Sequence, residues 1–367
     1  MQGPADHPTT LPDGLPVPTD DGLALHLVHA RLPSLPLPGT DGREHILAEL
    51  TSPTVLFFYP RTGVPGQPPN LGFAGEPWES IPGARGCTPQ SCGFRDLHSQ
   101  FQQLGVAVHG VSTNTTEHQR EFKQRNHVPF EFLSDSSLAL TRHMRLPTFE
   151  FPVESGGPST LIRRMAWYCD GGRILKVWYP VFPPDRNAAT VLEWLRARDR
   201  VRLRPINATD HSYLEQEMTR HWGGTQIWSR GEMYEGLELT GLIAEVDGER
   251  AGAITWSVLS GGYLFEVVTV STTLESAGVG EKLLDAAVLE AQRLGCSRAF
   301  LTTTNDNMRA LRFYQKRGWR ICMLHRGMVD EARRRKPFIP RVGLGGIPLR
   351  DEIELELWLE EPREDVP

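Results

Sequence analysis

Two cysteines five residues apart, Cys87 and Cys92, are the residues of this chain that most directly suggest covalent chemistry. They lie at the beginning of the segment CTPQSCGFRDLHSQFQQLG, whose apolar residues follow a helical spacing and which ends at Gly105. Cys87 is therefore predicted at a helix N-terminus, where unpaired backbone N–H groups and the helix dipole favour the nucleophilic thiolate.

The five-residue spacing restricts how the two thiols can react with each other. On an intact α-helix it separates the Cα atoms by about 7.5 Å and points the side chains in different directions, beyond the usual reach of a disulfide. A bond between Cys87 and Cys92 therefore requires the first helical turn to unwind. This suits a redox cycle in which Cys87 becomes a sulfenic acid and Cys92 attacks it once the helix opens. The alternative is that the two cysteines are incidental.

A second candidate site is a glycine-bearing turn between a strand and a helix. LFEVVTV is predicted to be a strand, and STTLESAGVGEKLL follows it with Gly278 and Gly280 at the start of a helix. The free backbone N–H groups of such a helix can converge on an anion, as at a pyrophosphate site. Two glycines in this spacing also occur in ordinary turns, but the strand before them and the helix after them favour the phosphate interpretation.

The elements predicted before residue 200 alternate between strands and helices. TVLFFYP and VAVHGVSTN read as buried strands on either side of the cysteine helix, which makes a β-α-β unit with a parallel strand pair. The arms TLIRRMAWYC and RILKVWYPV form a hairpin around residues 170–172, and residues 187–196 form a closing helix.

After residue 200 the order of elements is different. Two strands are joined by a hairpin turn at Asp247 and Gly248, and LFEVVTV is the third strand. A helix follows from Gly280 to Leu294, with Leu283, Leu284, Ala287, Ala291 and Leu294 on one face. Strand SRAFLTTT, helix NMRALRFYQKR and strand WRICMLH complete an α+β pattern. No internal repeat is visible, so the halves are a fusion and need separate functional arguments.

Composition narrows the class of protein. With 39% hydrophobic and 23% charged residues in 367, the chain is neither collagen-like, wholly disordered nor membrane-spanning. A net charge of −6 provides no general attraction to nucleic acid or anionic membranes, and five cysteines do not form the framework of a secreted disulfide protein. We therefore expect a cytoplasmic protein with a flexible leader (residues 1–22), a first domain (23–198) and a second domain (201–362).

The residues around the cysteines resemble a known family. FFYPRTGVPG and GARGCTPQSCGFRD are similar to the active-site region of peroxiredoxins of the bacterioferritin-comigratory type, over residues 23–198. The resemblance implies a thioredoxin-like fold with Cys87 as peroxidatic and Cys92 as resolving cysteine, reduced by a thioredoxin-like donor. The family's later arginine falls on Arg163 or Arg164, and ungapped counting from the hairpin favours Arg163. Ala84 stands where the family has threonine or serine.

The second half resembles the GCN5-related N-acetyltransferases (GNAT) over residues 201–360. The resemblance rests on the glycine turn, TTTNDNMRALRFYQKRGW and GIPLRDEIELELWLE, and implies acetyl-CoA as acyl donor. By position, the cofactor-binding residues would be Val268, Thr269 and Val270 for the pantetheine arm, Gly278, Val279, Gly280 and Glu281 for the pyrophosphate, and Asn307.

Two further side chains are candidates for proton transfer in this half. Tyr314 matches the tyrosine that protonates the leaving thiolate in the family, and helix packing is the alternative role for it. Because the amine must arrive deprotonated, Glu266 on the preceding strand is a candidate base, acting directly or through water. The alternative for Glu266 is a cross-strand charge pair.

Together these observations predict two folds and two activities. The fold class is α/β and α+β, thioredoxin-like in the first half and GNAT in the second. The expected function is thiol-dependent peroxide reduction combined with acetyl transfer to an amine, small molecule or protein, without metal, nucleic-acid or membrane partners. The alternative is a redox-sensing first domain that does not turn over and regulates the transferase.

Overall fold

The computed structural model describes residues 11–63, 71–152, 157–259, 261, 263–273 and 278–359. By its internal contacts the chain divides into two units, Met1–Leu195 and Arg196–Pro367. The first ten residues of the predicted leader and the last residues of the predicted second domain lie outside the described residues.

The first unit is built on a five-stranded sheet with the order β5-β4-β3-β8-β9. The strands β3, β4 and β5 are parallel, β8 is antiparallel to β3, and β9 is antiparallel to β8. The elements of this unit are β1 (Pro36–Pro38), β2 (Glu44–Ile46), β3 (Thr54–Phe58), α1 (Cys87–Asp96), α2 (His98–Gln103), β4 (Ala107–Ser112), α3 (Thr116–Arg125), β5 (Phe132–Ser134), α4 (Ala139–His143), β6 (Thr148–Glu150), β7 (Thr160–Ile162), β8 (Met165–Asp170), β9 (Arg173–Trp178) and α5 (Asn187–Asp199).

The central strand β3 explains why this sheet is covered on both faces. All five of its residues are buried, and their alternation places Phe57 in one apolar cluster and Phe58 in another. Phe57 stacks on Phe94 of α1, with ring centroids 4.4 Å apart, so the cysteine helix is anchored on the sheet. The single predicted helix is divided at Leu97 into α1 and α2.

The described part of the leader packs against the first unit. A Cβ atom placed on Gly86 would lie 2.9 Å from Leu11 Cδ2, and one on Gly83 would lie 3.4 Å from Pro18 Cγ. Residues 11–22 therefore reach the loop that precedes Cys87, which the local composition of the leader did not indicate.

The second unit contains a seven-stranded sheet with the order β10-β13-β14-β15-β16-β18-β17, in which only β15 and β16 are parallel neighbours among the described strands. Its elements are β10 (Val201–Pro205), α6 (His211–Trp222), β11 (Gln226–Ser229), β12 (Glu232–Glu235), β13 (Thr240–Val246), β14 (Glu249–Leu259), β15 (Leu264–Thr272), α7 (Val279–Arg293), β16 (Arg298–Thr304), α8 (Met308–Gln315), β17 (Arg320–His325), α9 (Met328–Arg335) and β18 (Glu352–Trp358).

The helix α7 covers one face of this sheet, as its apolar periodicity predicts. Leu283, Leu284, Ala287 and Ala291 are buried in the main core of the unit. Leu294 is 41% exposed, because α7 ends at Arg293 and Leu294 already serves as its C-cap.

A half-buried histidine makes the first unit sensitive to acid. Burial, reinforced by the neighbouring His45, lowers the pKa of His109 on β4 from 6.5 to about 4. The folded state therefore binds fewer protons than the unfolded state between these values, and stability falls as the pH drops through this range. Relative to His109→Gln, the wild type should lose about 2 kcal/mol of unfolding free energy between pH 7 and pH 5. Urea unfolding at both pH values measures this difference; equal pH dependence of the two proteins would contradict it.

Candidate functional sites

The thiol of Cys87 sits at the first residue of α1, beside a buried guanidinium. The helix is preceded by Gly86, whose φ of 106° is a left-handed conformation suited to glycine. The Sγ atom of Cys87 lies 3.2 Å from Nη2 of Arg164 and donates to the Ala84 carbonyl at 3.7 Å. Its side chain thus has a cation and a helix N-terminus next to it, which both stabilise a thiolate.

Arg164 also holds the loop in front of the helix. Its Nε donates to the Gly83 carbonyl at 3.1 Å, and Nη2 donates to the carbonyls of Ala84 at 2.9 Å and Arg85 at 3.3 Å. Its Nη1 donates to Oε1 of Gln90. The guanidinium is therefore fixed in position before any substrate arrives, which is the condition for electrostatic catalysis.

The neighbouring Arg163, which ungapped counting favoured, does not reach the sulfur. Its Nε donates to the Thr148 carbonyl at 3.1 Å, and its guanidinium lies 5.8 Å from the centre of the Phe149 ring. Successive residues of an extended chain point to opposite sides, so a shift of one residue in counting exchanges the arginine that contacts the sulfur for one that does not. The structure brings Arg164 to Cys87.

Cys92 lies on the same intact helix, and both thiols are buried and free. Burial raises the pKa of Cys92, so in this conformation it is held as a thiol. Because α1 is intact and neither cysteine is in a disulfide, the described structure is the reduced, helical state that the spacing predicts. Disulfide formation would have to open α1.

Sequence reasoning missed Gln90, which is fully buried one turn into α1. It accepts from Arg164 through Oε1 and donates through Nε2 to Oδ1 of Asn187, at 3.0 Å, at the start of α5. A polar side chain at an inward-facing helix position was the available signal. Gln90 orients the arginine that contacts Cys87, so its role is positioning.

In the second unit, the parallel strands β15 and β16 separate at the predicted pantetheine residues. They pair only from Leu264 to Val267 on β15, opposite residues 298–301. On the other side of β15 the register with β14 shifts, and Val268 has no partner there. The backbone groups of residues 268–270, which include Thr269 and Val270, therefore face the gap that opens between β15 and β16. An extended ligand can hydrogen bond to such an open edge.

The helix α7 is the next element of the chain after β15. Residues 274–277, which connect the two, lie outside the described part. Gly278 is its N-cap with a φ of 74°, and Lys282 is the first residue to bond back to it. The N–H groups of Val279 and Gly280 consequently have no acceptor within the helix. The Glu281 carboxylate is 3.5 Å from Nη2 of Arg317. The direction of the N–H groups at the start of α7 and the positive end of the helix dipole are both suited to a pyrophosphate.

The helix α8 carries the other two cofactor-side residues. Asn307 caps it by accepting from the Ala310 N–H at 3.1 Å, which leaves its amide NH₂ group for a ligand. Tyr314 is half-buried and packs against Phe313 and Trp319, with ring centroids 5.2 and 6.1 Å away. Burial raises the pKa of Tyr314 to about 12, so it is a phenol, able to donate a proton, at neutral pH.

Glu266, the candidate base, is placed differently from the expectation. It is fully buried, and its Oε1 accepts from Ser229 Oγ at 2.8 Å. Its Oε2 accepts from Arg230 Nη2 and from the Tyr234 hydroxyl, both at 2.6 Å. A carboxylate with three donors and no exposed surface is not available to an incoming amine. The geometry therefore favours the charge-pair alternative for Glu266. Its partner is Arg230, which follows β11, and not an arginine of the seven-stranded sheet.

The described residues contain no group of three or more His, Cys, Asp or Glu side chains arranged to hold a metal ion. Within the same ranges, every helix is too short or too polar to cross a bilayer.

Comparisons with known proteins assign each half separately. The family model for Redoxin matches residues 27–192, and the model for the acetyltransferase (GNAT) family matches residues 191–319. Peroxiredoxin Q of Suaeda salsa, a chloroplast protein, is 25% identical over 166 residues, which are 45% of this chain and 65% of that protein. Peroxiredoxin Q of Oryza sativa subsp. japonica is 26% identical over 167 residues, 45% of this chain and 64% of that protein.

A bacterial relative is also similar to part of this chain. The uncharacterized protein YdhI of Bacillus subtilis is 35% identical over 150 residues, which are 41% of this chain and 92% of that protein. The two family matches agree with the resemblances found in the sequence, and the predicted fold class is confirmed. The chain is therefore a fusion of a peroxiredoxin-like redoxin domain of thioredoxin-like fold, in residues 27–192, with a GNAT acetyltransferase domain, in residues 191–319.

Proposed function

We propose that the first unit reduces peroxides through Cys87 and Cys92. The observation that carries this proposal is the 3.2 Å approach of the Arg164 guanidinium to Cys87 Sγ at the N-terminus of α1. The thiolate attacks a peroxide oxygen, the O–O bond breaks, and the alkoxide or hydroxide takes a proton and leaves, so that sulfur is oxidised to a sulfenic acid. Arg164 stabilises both the thiolate and the negative charge that develops on the leaving oxygen.

The second step of the proposed cycle uses Cys92. Its thiolate attacks the Cys87 sulfenic acid, water leaves, and a disulfide forms after α1 has unwound. A thioredoxin-like dithiol then reduces this disulfide. The test is steady-state turnover of hydrogen peroxide with thioredoxin, thioredoxin reductase and NADPH, in which Cys87→Ser should abolish activity and Cys169→Ser, a buried thiol on β8, should retain it.

The resolving role makes a separate prediction about α1. One equivalent of peroxide should produce an intramolecular Cys87–Cys92 disulfide, visible as a loss of two mass units and as a crosslinked peptide. Backbone amides of Cys87–Asp96 should then exchange with deuterium at least tenfold faster, because the helix must open. Cys92→Ser should stop at a sulfenic acid that dimedone traps. A dimedone adduct at equal yield in wild type and variant would contradict resolution by Cys92.

For the second unit we propose acetyl-CoA-dependent transfer to an amine. The separation of β15 from β16 after Val267, together with the N–H groups of Val279 and Gly280 at the start of α7, supports it. The pantetheine would lie along residues 268–270, the pyrophosphate against Gly278–Glu281, and Asn307 would hold the cofactor. Tyr314 would protonate the departing thiolate. Glu266 would position Ser229, Arg230 and Tyr234, and the proton that the attacking amine loses would pass to solvent water.

Calorimetric titration of the full chain with acetyl-CoA tests this second activity first. Gly280→Asp places a carboxylate at the helix start and should weaken binding at least tenfold, whereas Lys316→Asp, on the exposed end of α8, should not. A panel of amines followed by free CoA release then identifies the acceptor class.

A redox sensor that does not turn over is the second candidate for the first unit. The observation in its favour is that Ala84 offers no hydroxyl near Cys87, while the hydroxyl of Thr62 is 3.0 Å from Nε2 of His118. A missing donor to the peroxide is worth about 1–3 kcal/mol, or tenfold to a hundredfold in rate. Multiple turnovers per Cys87 with a thioredoxin donor exclude the sensor; a single oxidation that changes acetyl transfer supports it.

A further inference from the structure

The strand β17 is the outer strand of the seven-stranded sheet, and its side chains are exposed. Among the described residues, no strand and no isolated bridge lies on its outer side. Ile321 is 52% exposed, Met323 54% and Leu324 47%. Half of the six residues of β17 are thus large apolar side chains in contact with water. Clustered apolar surface of this kind marks interaction sites more often than isolated exposed residues do.

The sequence of β17 lacks the features that normally prevent an outer strand from pairing. Charged residues and prolines at an exposed sheet edge oppose the addition of another strand. In β17 the basic residues Arg320 and His325 stand at the two ends, and the four residues between them are Ile, Cys, Met and Leu. Alternate residues of the strand direct their N–H and C=O groups outward. The outer edge of β17 is therefore open to a further strand.

A β-bulge places two apolar residues of β17 on the core side of the sheet. Ile321 pairs with Leu355, which is fully buried in the main core of the unit. Leu324 pairs with Ile353, which packs against the same core. The register shifts between Ile321 and Met323, and without this bulge residues three positions apart would point to opposite faces. Both exposed side chains are therefore in line with the core.

This arrangement makes the outer edge of β17 complementary to itself. When two copies of β17 run antiparallel about a two-fold axis between residues 322 and 323, Ile321 of each copy lies opposite Leu324 of the other. Each pair continues the rows of Leu355 and Ile353, so four apolar side chains follow one another across the interface. A shift by one or two residues would bring side chains of opposite faces together, so the apolar pairs select this register.

The charges on the other face of β17 are compatible with the same register. Arg320 pairs with Glu356, and His325 pairs with Glu352, on β18. The two-fold register puts Arg320 opposite His325 of the second copy, so that the row across the interface reads acid, base, base, acid. His325 is also bonded to Glu354, with 2.8 Å between Nε2 and Oε2. The basic side chains thus lie between carboxylates, and no carboxylate of one copy faces a carboxylate of the other.

We propose that a second copy of this chain docks on the outer edge of β17, and that the two copies join their sheets through β17 about a two-fold axis. In such an interface the same residues act on both sides, which explains why one strand carries both members of each apolar pair. A pair of six-residue strands is only about 20 Å long, so it should bury less than the standard interface of about 1,600 Å². The expected dimer therefore dissociates in the micromolar range.

Sedimentation velocity of the reduced full-length chain, from about 1 to about 200 µM, tests the dimer. The wild type should shift from monomer to dimer over this range. Ile321→Lys puts a charge on the edge and should weaken the association about tenfold or more. Val258→Lys is the matched control and should not weaken it, because Val258 is 41% exposed but lies on β14, four strands away in the sheet. Circular dichroism checks that both variants are folded.

Crosslinking tests the register independently of these variants. In a chain that carries Cys322→Ser, the substitutions Ile321→Cys and Leu324→Cys together should yield a disulfide-linked dimer, because the new thiols of different copies lie opposite each other. Oxidised glutathione is the oxidant and is itself reduced as each disulfide forms. Ile321→Cys without Leu324→Cys should remain uncrosslinked. Equal crosslinking of the two chains would overturn the register and with it the inference.

Hydrogen exchange shows whether β17 itself pairs. Its outward amides should exchange with deuterium about fivefold more slowly at about 200 µM than at about 1 µM, and equal rates would contradict the pairing. A wild type that stays monomeric would overturn the inference, and dimers that appear only after removal of residues 360–367 would assign the edge to that segment instead. A dimer that Ile321→Lys leaves unchanged would also overturn it. None of these outcomes bears on either proposed activity.

Discussion

Replacing Arg164 with Gln is expected to slow the oxidation of Cys87 by hydrogen peroxide about 100- to 1,000-fold, whereas Arg163→Gln leaves it within about twofold. Loss of one preorganised donor at a site of developing charge typically costs two to three orders of magnitude. Arg164 is buried and its Nη2 is 3.2 Å from the sulfur, and Arg163 is turned toward Thr148 and Phe149. The two variants are therefore a matched pair. One removes a positive charge that contacts the sulfur, and the other removes an adjacent positive charge that does not.

The control for this pair concerns folding, because Arg164 also binds three carbonyl groups in front of α1. Arg164→Lys keeps the positive charge but cannot make these bonds together with the contact to Gln90. We expect it to recover a small part of the rate, and circular dichroism should show that the variants compared are folded. A larger rate loss in Arg163→Gln than in Arg164→Gln would refute the assignment of the catalytic arginine.

Replacing Tyr314 with Phe should lower kcat for acetyl transfer about 100-fold, with the Kd for acetyl-CoA within about twofold of the wild type. General acid catalysis contributes about 10²–10⁴-fold, and this substitution removes the proton donor without changing the ring. The proposed cofactor contacts lie elsewhere, on residues 268–270, on the first turn of α7 and on Asn307. Because the pKa of Tyr314 is about 12, the wild-type rate should show no decline from its ionisation up to pH 10.

The alternative role of Tyr314 in helix packing makes a different prediction. The ring contacts with Phe313 and Trp319 remain in the Phe variant, so packing alone would leave kcat unchanged. Phe313→Leu, which disturbs the neighbouring packing while keeping the hydroxyl, is the matched control. A larger kcat loss in Phe313→Leu than in Tyr314→Phe would assign the residue to packing.

Features that depend on neighbouring residues in the chain could be predicted well. The hairpin at Asp247 and Gly248, the buried strand at Thr54–Phe58 and the helix that begins at Cys87 all follow from residue types and their period. The disulfide constraint also follows, because helix geometry alone determines how far apart Cys87 and Cys92 are held.

Features that depend on side-chain direction could not be predicted. Choosing between Arg163 and Arg164 requires knowing which face of an extended segment is turned toward α1, and counting residues leaves this open. The role of Glu266 depends on Ser229, Arg230 and Tyr234, which lie more than thirty residues away and meet it only in the folded hairpin of β11 and β12. Gln90 gains its function from Arg164, 74 positions later.

By itself, the sequence determined the two domain types, the order of their elements and the candidate reactive residues Cys87 and Tyr314, because motifs and periodicity are local. Only the tertiary structure decided which arginine contacts the thiol, that Glu266 is buried among three donors, and that the leader reaches the loop before Cys87. Each of these features is a contact between segments that lie far apart in the sequence. The physical reason is that hydrogen bonds and ion pairs act over about 3 Å, a distance that sequence separation does not encode.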